Sequence, residues 1–293
     1  MNNSPRFAFL GTPDFSVRIL NILEEHGLLP VLAVTAPDKP RGRGQKLQPT
    51  AVKVWADKRD IPVLTPSRLQ GDEFLSAVAS YDLDCSVVAA YGLIMPDSIL
   101  SLPRFGSINV HPSILPKYRG ASPIESQVLA DEDDIGVTIM QMDEKMDHGP
   151  ILSQQSITRP QLLPDAPALE KVLAQLGGEL LSETMVAYVS GEIEPEAQDH
   201  DAATYTKKIT KEDTLIDLAD EPYQNFLKIR AYKRFRPHFF AERDEKKIRV
   251  VITKADFNKK DHTLSIERVI PEGGSEMAFI DFLKKPSLYS YLR

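Results

Sequence analysis

The sequence predicts an α/β fold with a parallel-rich sheet, followed by a smaller β-rich second domain. Three observations carry that expectation. The chain opens as strand, turn and helix: Phe7 to Leu10 is apolar, Gly11-Thr12-Pro13-Asp14 turns it, and Phe15, Ile19, Ile22 and Leu23 recur at helical spacing. Short apolar runs then alternate with helix-period segments, the pattern of strands joined by helical crossovers. Finally, Gly191 to Asp201 is acidic, contains Pro195 and has little periodicity, so it reads as a linker.

In chain order, Leu28 to Thr35 and Ile61 to Leu64 are further strands, with a helix from Ala51 to Lys58 between them. The stretch Pro37 to Lys46 holds Lys39, Arg41, Arg43 and Lys46 together with two glycines and two prolines, so it is neither helix nor central strand and reads as an exposed loop. Asp84 to Tyr91 is continuously apolar enough to be a strand buried on both faces. Gly92 to Pro96 and a helix through Leu100 lead into the strand Gly106 to Val110. Gly136 to Met142 is another apolar strand. From Asp165 to Tyr188, the residues Leu169, Val172, Leu173, Leu176, Leu180, Leu181, Met185 and Val189 make one stripe of an amphipathic helix that packs on the sheet. A second domain begins near Ala203, with a helix from Pro222 to Ala231 and β-type runs at Phe239 to Ala241, Arg249 to Lys254 and Leu264 to Ile270.

Composition narrows the class. A chain of 293 residues with 42% apolar and 26% charged residues has the make-up of a globular protein of two domains. No apolar run approaches the roughly 20 residues that span a bilayer. The N-terminal Met-Asn-Asn-Ser-Pro has neither a signal peptide's basic and apolar regions nor an Arg-rich transit pattern, so a cytoplasmic location is expected. The single Cys85 lies in an apolar run and is expected to be a core residue. The opening turn lacks G-x-G-x-x-G, which argues against a nicotinamide cofactor. His26, His148, His200, His238 and His262 have no metal-ligand spacing, so no metal is expected. A net charge of −7 implies no nucleic-acid partner by itself, and such a partner would need concentrated basic patches.

Two such patches exist. One is the stretch holding Lys39, Arg41, Arg43 and Lys46, which suits phosphates although a solvated connection would have the same composition. The other runs from Lys228 to Arg249, where nine Lys or Arg residues, including Arg230, Lys233, Arg234 and Arg236, are interleaved with Tyr232, Phe235, Phe239 and Phe240. Basic residues among aromatics suit RNA, and equally a solvated face over an aromatic core.

Proton-transfer chemistry concentrates between Asn109 and Gly149. Asn109 and His111 stand two apart at a strand end, so their side chains leave one face of the pleat. An amide donor and an imidazole that exchanges a proton near neutrality are thus neighbours. Asp147, in a turn bounded by Gly149 after the strand Gly136 to Met142, is the carboxylate that would complete the set. Taken singly, each also suits a turn cap.

Asn109, His111, the run Ser113-Ile114-Leu115-Pro116, Arg119-Gly120 and Asp147 together resemble the folate-dependent formyltransferases. The likeness is nearly continuous from Gly11 to Leu152. Gly11-Thr-Pro-Asp-Phe15 and the basic stretch Pro-Asp-Lys-Pro-x-Gly-Arg-Gly point within that family to the branch that formylates methionine on initiator tRNA. The resemblance implies a Rossmann-like catalytic domain over residues 1–190, a linker at 191–203 and an OB-like β-barrel over 204–293, abbreviated because only a short polar turn joins Asp256 to Thr263.

It further implies 10-formyltetrahydrofolate as formyl donor, lying along Tyr91, Gly92, Leu93 and Ile94 and along Ser113, Ile114, Leu115 and Pro116. Asn109 then stabilises the oxyanion, His111 assists that charge or shuttles the proton, and Asp147 sets the tautomer of His111. Lys39, Arg41, Arg43 and Lys46 enter the acceptor arm of the tRNA, while Arg230, Lys233, Arg234 and Arg236 support it. No metal and no membrane are involved, and a monomer is expected. Two rivals share the core: a formyltransferase acting on a sugar-nucleotide amine, and a folate- or RNA-binding protein without catalysis.

Overall fold

The computed structural model describes residues 4–41, 44–158, 164–243 and 246–284. They divide into two compact units. The first comprises the chain up to Gly120, Asp134–Thr158 and Glu170–Tyr205; the second comprises Ala121–Asp133, residues 164–169 and the chain from Thr206.

In the first unit the chain forms β1 (Phe7–Gly11), α1 (Asp14–Glu25), β2 (Leu32–Val34), the short pair β3 (Lys39–Arg41) and β4 (Lys46–Gln48), α2 (Ala51–Asp57) and β5 (Val63–Leu64). There follow α3 (Asp72–Ala79), β6 (Cys85–Ala89), α4 (Asp97–Leu100), β7 (Ser107–His111) and β8 (Arg119–Gly120). After α5 (Pro123–Leu129), which groups with the second unit, come β9 (Ile135–Gln141), β10 (Ile151–Ile157) and α6 (Ala166–Val189). The seven-stranded sheet has the order β10-β9-β7-β6-β1-β2-β5. Strands β7, β6, β1, β2 and β5 run parallel, and β9 and β10 add an antiparallel edge.

The central strands β1 and β6 are buried along their whole length, which explains their unbroken apolar sequence. Residues Ala8, Leu10, Leu32, Val34, Val88 and Tyr91 pack one core cluster on this sheet. Cys85 is buried as expected, and burial together with the adjacent Asp84 charge pushes its thiol up to about 12, so it is no nucleophile near neutrality.

Two expected elements are corrected and one strand is added. The strand at Leu28 to Thr35 shrinks to Leu32–Val34, because Pro30 lacks the N–H that a ladder needs. The basic stretch is a two-stranded antiparallel ribbon rather than a loop: Lys39 pairs with Gln48, Pro40 with Leu47 and Arg41 with Lys46. A two-stranded ribbon has only edges, so it tolerates Pro40. The strand β10 was not foreseen, because its centre, Ser153-Gln154-Gln155-Ser156, is polar and largely exposed at the sheet edge.

Helix α6 buries Leu169, Leu173, Ala174, Leu176, Leu181 and Met185, while Val172 of the expected stripe is exposed. Its Gly177 permits close contact with the sheet, and its Gly178 with α1. A Cβ on Gly177 would stand 2.8 Å from a methyl of Val110, and one on Gly178 would stand 2.7 Å from Ile22. Glycine costs a helix about 1 kcal/mol relative to alanine, and the approach to Val110 is what that cost permits. Val110 lies between Asn109 and His111, so this helix supports the strand that carries both.

The second unit contains β11 (Tyr205–Thr206) at its border, α7 (Pro222–Ala231), β12 (His238–Arg243), β13 (Lys246–Asn258), β14 (Thr263–Pro271), β15 (Met277–Ala278) and α8 (Phe279–Leu283). Strands β12 to β15 form an antiparallel meander around Ile216, Ile229, Phe239, Val250, Ile252, Val269 and Phe282. Helix α7 starts where local rules place it, with Pro222 in its first turn and the Glu221 carboxylate accepting from the Tyr223 and Gln224 amides. The polar turn is shorter than Asp256 to Thr263: pairing continues to Asn258 with Thr263, which leaves only 259–262 between the strands.

Candidate active site

Strand β7 stands where the sheet changes direction, parallel to β6 and antiparallel to β9. Its residue Asn109 pairs with Val88 on one side and Met140 on the other, and His111 pairs with Thr138. In open α/β sheets the crevice beyond the carboxyl ends of the strands is the usual ligand site. Here the residues at that end, from Ala89 to Ile94 and from His111 to Gly120, are those expected to line it.

His111 is buried at 4% exposure, whereas Asn109 remains partly open on the same face of the strand. The Nε2 of His111 lies 3.0 Å from the Tyr118 carbonyl oxygen. A carbonyl only accepts, so Nε2 carries the proton. The other nitrogen, Nδ1, lies 3.6 Å from Oδ1 of Asp147, too long for a hydrogen bond and short enough for an ion pair once the ring is protonated. Oδ2 of Asp147 accepts from the Gly120 amide at 2.7 Å. The carbonyl of Tyr118, not Asp147, therefore sets the tautomer of the neutral ring.

The turn that delivers Asp147 doubles back. Strand β9 ends with Gln141 beside Ile108, near the start of β7, yet Asp147 reaches His111 near its end. Gly149 allows this, since a Cβ there would overlap the Gln141 carbonyl oxygen. Ala90 (φ 50°), Gly92 (φ 87°), Tyr118 (φ 61°), Gly120 (φ 113°) and Asp147 (φ 49°) all have positive φ. For non-glycine residues that conformation costs on the order of 1–3 kcal/mol and persists where the surroundings enforce it, commonly at functional sites.

Arg119 is the largest fully buried side chain among the described residues. Its Nε and one terminal nitrogen donate to Oε1 of Gln198 at 3.1 and 2.6 Å, the other terminal nitrogen to the Tyr205 hydroxyl at 3.1 Å, and its backbone amide to the Thr204 carbonyl at 2.9 Å. Gln198 in turn donates to the carbonyls of Asp147 and Gly149 at 3.0 and 2.6 Å. One amide thus connects a buried guanidinium to the turn holding Asp147. Arg119 also donates to Nδ1 of His200 at 2.9 Å, and His200 stacks on His148 with ring centroids 4.0 Å apart. Gln198 and His200 lie in the stretch read from sequence as a linker, and no local motif marked them.

The residues expected to hold the donor fall into two groups. Leu93 and Ile94 are exposed at 39% and 89% beside Gly92, whereas Tyr91 is buried and its hydroxyl, pushed up to about 12 by burial, has no hydrogen-bond partner. Ser113, Leu115 and Pro116 brace their own loop. Ser113 Oγ donates to the Lys117 carbonyl, Thr138 Oγ1 donates to the Ser113 carbonyl and accepts from the Leu115 amide, and Gln154 donates to the Leu115 carbonyl. The Pro116 carbonyl accepts from the Thr204 amide, and Ile114 is half-buried.

Among the basic residues, Lys39 and Lys46 are exposed on the ribbon, while Arg43 and the side chain of Arg41 lie outside the described residues. In the second unit Lys233, Arg234 and Arg236 are exposed, with Lys233 2.6 Å from Asp165. Arg230 is half-buried with its guanidinium over the Phe226 ring at 5.0 Å. No group of three His, Cys, Asp or Glu suited to a metal exists among the described residues, and none of their helices is long and apolar enough to cross a membrane.

Residues 5–185 match the family model described as Formyl transferase. The chain is 43% identical over 258 residues to the methionyl-tRNA formyltransferase of Desulfotalea psychrophila, covering 88% of this chain and 79% of that protein. It is 37% identical over 286 residues to that of Thermotoga neapolitana, covering 96% and 91%. In fold it is similar to the solved methionyl-tRNA formyltransferase of Clostridium thermocellum, with a TM-score of 0.60 at 12% identity over 94% of this chain and 98% of that one. A family domain across more than half the chain, and relatives matched across most of both lengths, show that this formyl-transferring enzyme belongs to the methionyl-tRNA formyltransferase family.

Proposed function

We propose that the chain transfers the formyl group of 10-formyltetrahydrofolate to the α-amine of methionine carried by initiator tRNA, acting as a cytoplasmic monomer. Residues 1–190 carry the chemistry, 204–293 support the tRNA and 191–203 join them. The observation that carries the chemical half is His111 held between the Tyr118 carbonyl and Asp147, with Asn109 two residues away on the same face of β7.

The bound folate supplies an activated one-carbon unit. The residues around its expected site fit a flat, partly apolar ligand: Leu93 and Ile94 offer exposed apolar surface, and the buried Tyr91 hydroxyl lacks a partner. When the amine adds to the formyl carbon, negative charge grows on the formyl oxygen. Asn109 donates its amide N–H to that charge, a contact worth on the order of 3 kcal/mol in a transition state. With Nε2–H engaged by Tyr118, Nδ1 is the position of His111 that takes the amine's proton. The resulting imidazolium faces Asp147, whose second oxygen is held by the Gly120 amide. As the adduct collapses, the bond from the formyl carbon to the folate nitrogen breaks, that nitrogen takes the proton and tetrahydrofolate leaves. The 37% and 43% identities to enzymes named for methionyl-tRNA favour tRNA over a sugar-nucleotide amine as acceptor.

The test is formylation of charged initiator tRNA by the wild-type chain, by His111→Ala and by Arg41→Ala/Arg43→Ala. Wild type should turn over, His111→Ala should lose turnover, and the double arginine change should chiefly raise KM for tRNA. A wild-type chain that ignores tRNA yet formylates a sugar amine or hydrolyses the folate overturns the choice of acceptor. A chain that binds folate and RNA without turnover overturns the catalytic reading.

A further inference from the structure

The second unit carries a cavity of about 580 Å³ lined by residues 209–212, by Thr214 and Leu215, by Phe235 and Arg236, and by His238, Phe240 and Arg249. That volume lies within the roughly 300–1,000 Å³ usual for small-ligand sites. Leu215, Phe235 and Phe240 are 43%, 40% and 40% exposed, and all three line this cavity. Beyond Thr206 the only other large hydrophobic side chain exposed among the described residues is Ile280. Exposed apolar surface concentrated in one concavity marks a binding site rather than scattered surface residues.

The polar groups around the cavity are mainly cationic. Arg249 donates to the Arg236 carbonyl at 3.2 Å, while its Nε is buried without a partner. Arg236 is exposed in the left-handed region at φ 62°, and Lys247 lies 4.4 Å from the centre of the Phe240 ring. Glu212, on the same lining, offers a carboxylate acceptor. Aromatic faces suit a flat ring, unused guanidinium N–H suits a phosphate, and a carboxylate suits an exocyclic amine. A nucleotide combines the three features, and only an unpaired one exposes its base face.

We propose that this cavity receives one unpaired nucleotide of the RNA substrate, its base against Phe235 and Phe240 and its phosphate at Arg236 and Arg249. The proposal rests on the tRNA reading above and adds a stacking site to it.

The test uses the full chain and fluorescence anisotropy with a labelled single-stranded RNA octanucleotide and a blunt RNA duplex, beside the formylation assay. Phe240→Leu and Phe235→Leu keep apolar volume and remove the ring, while Phe240→Tyr keeps the ring. Each leucine change should weaken octanucleotide binding by about 5- to 100-fold, the range for losing one stacked base. Phe240→Tyr should stay within about threefold of wild type, and the duplex should be indifferent to all three. Octanucleotide binding unchanged by both leucine variants overturns the proposal and leaves the cavity to an apolar partner. Equal loss for octanucleotide and duplex overturns it too, because stacking is then not what binds. If binding depends on the rings while charged tRNA is not formylated by wild type, the cavity's assignment holds and the acceptor reading fails.

Discussion

The Nδ1 atom of His111 lies 3.6 Å from Oδ1 of Asp147, while its Nε2 is bound to the Tyr118 carbonyl at 3.0 Å. On the proposed mechanism the carboxylate thus faces the ring nitrogen that gains a proton, and the backbone holds the one that keeps its own. On that reading Asp147 acts chiefly through its charge. Asp147→Asn preserves an acceptor for the Gly120 amide and removes that charge. We expect kcat to fall by about 10²-fold or more, within the range of general acid–base contributions, with the thermal midpoint little changed. Steady-state kinetics and a melting curve check it; kcat within threefold of wild type would sink the ion-pair role.

Asn109→Ala removes the amide proposed as donor to the developing oxyanion. The expected loss is about 10²- to 10³-fold in kcat, with a smaller effect on KM for either substrate. A change confined to KM would mean that Asn109 binds the ground state only.

Gln198 is 5% exposed and bridges Arg119 to the carbonyls of Asp147 and Gly149. Gln198→Leu keeps the volume, removes two of the hydrogen bonds made by the buried Arg119 guanidinium and takes the Gln198 donor from two carbonyls. Each unsatisfied group costs about 1–3 kcal/mol, so the urea midpoint should drop clearly. Because the turn holding Asp147 loses its anchor, kcat should fall as well. Unfolding curves and kinetics at a temperature where the variant is fully folded separate the two effects.

A side chain at Gly177 meets Val110 behind the strand that carries Asn109 and His111. Gly177→Leu should destabilise by about 1–3 kcal/mol despite leucine's better helix propensity, since overpacking outweighs about 1 kcal/mol of propensity. Chemical denaturation measures it, and a neutral or stabilising result would show that α6 yields without strain.

Burial, and then the Arg249 charge, hold the pKa of His238 below its usual value, against a backbone hydrogen bond with Arg236 that raises it. The unfolded chain therefore takes up this proton first as pH falls. The contribution is present above about pH 6.5 and is lost as pH drops below it. Comparing urea midpoints of wild type and His238→Gln from pH 7.5 to pH 5.5, the wild type's advantage should shrink toward acid. An advantage that grows toward acid would contradict the sign.

Much of this is legible in the sequence alone. Phe7–Gly11 and Cys85–Ala89 are buried on both faces, so their sequence is apolar without alternation, and Glu221-Pro222 marks the start of a helix by local capping chemistry. Asn109 and His111 share a face because pleat geometry repeats every two residues. Strand Ile151–Ile157 was not legible, since an edge strand facing water carries no apolar signature.

By itself, then, the sequence determined the alternation of elements, the residue types available for proton transfer and the family to which they belong, because each of these depends on local periodicity or on residue identity. Only the tertiary structure decided which nitrogen of His111 keeps its proton, that the turn after β9 doubles back to bring Asp147 beside it, and that Gln198 anchors both that turn and Arg119. Those outcomes depend on hydrogen bonds between groups 7 to 79 positions apart, with no repeating pattern along the chain to announce them.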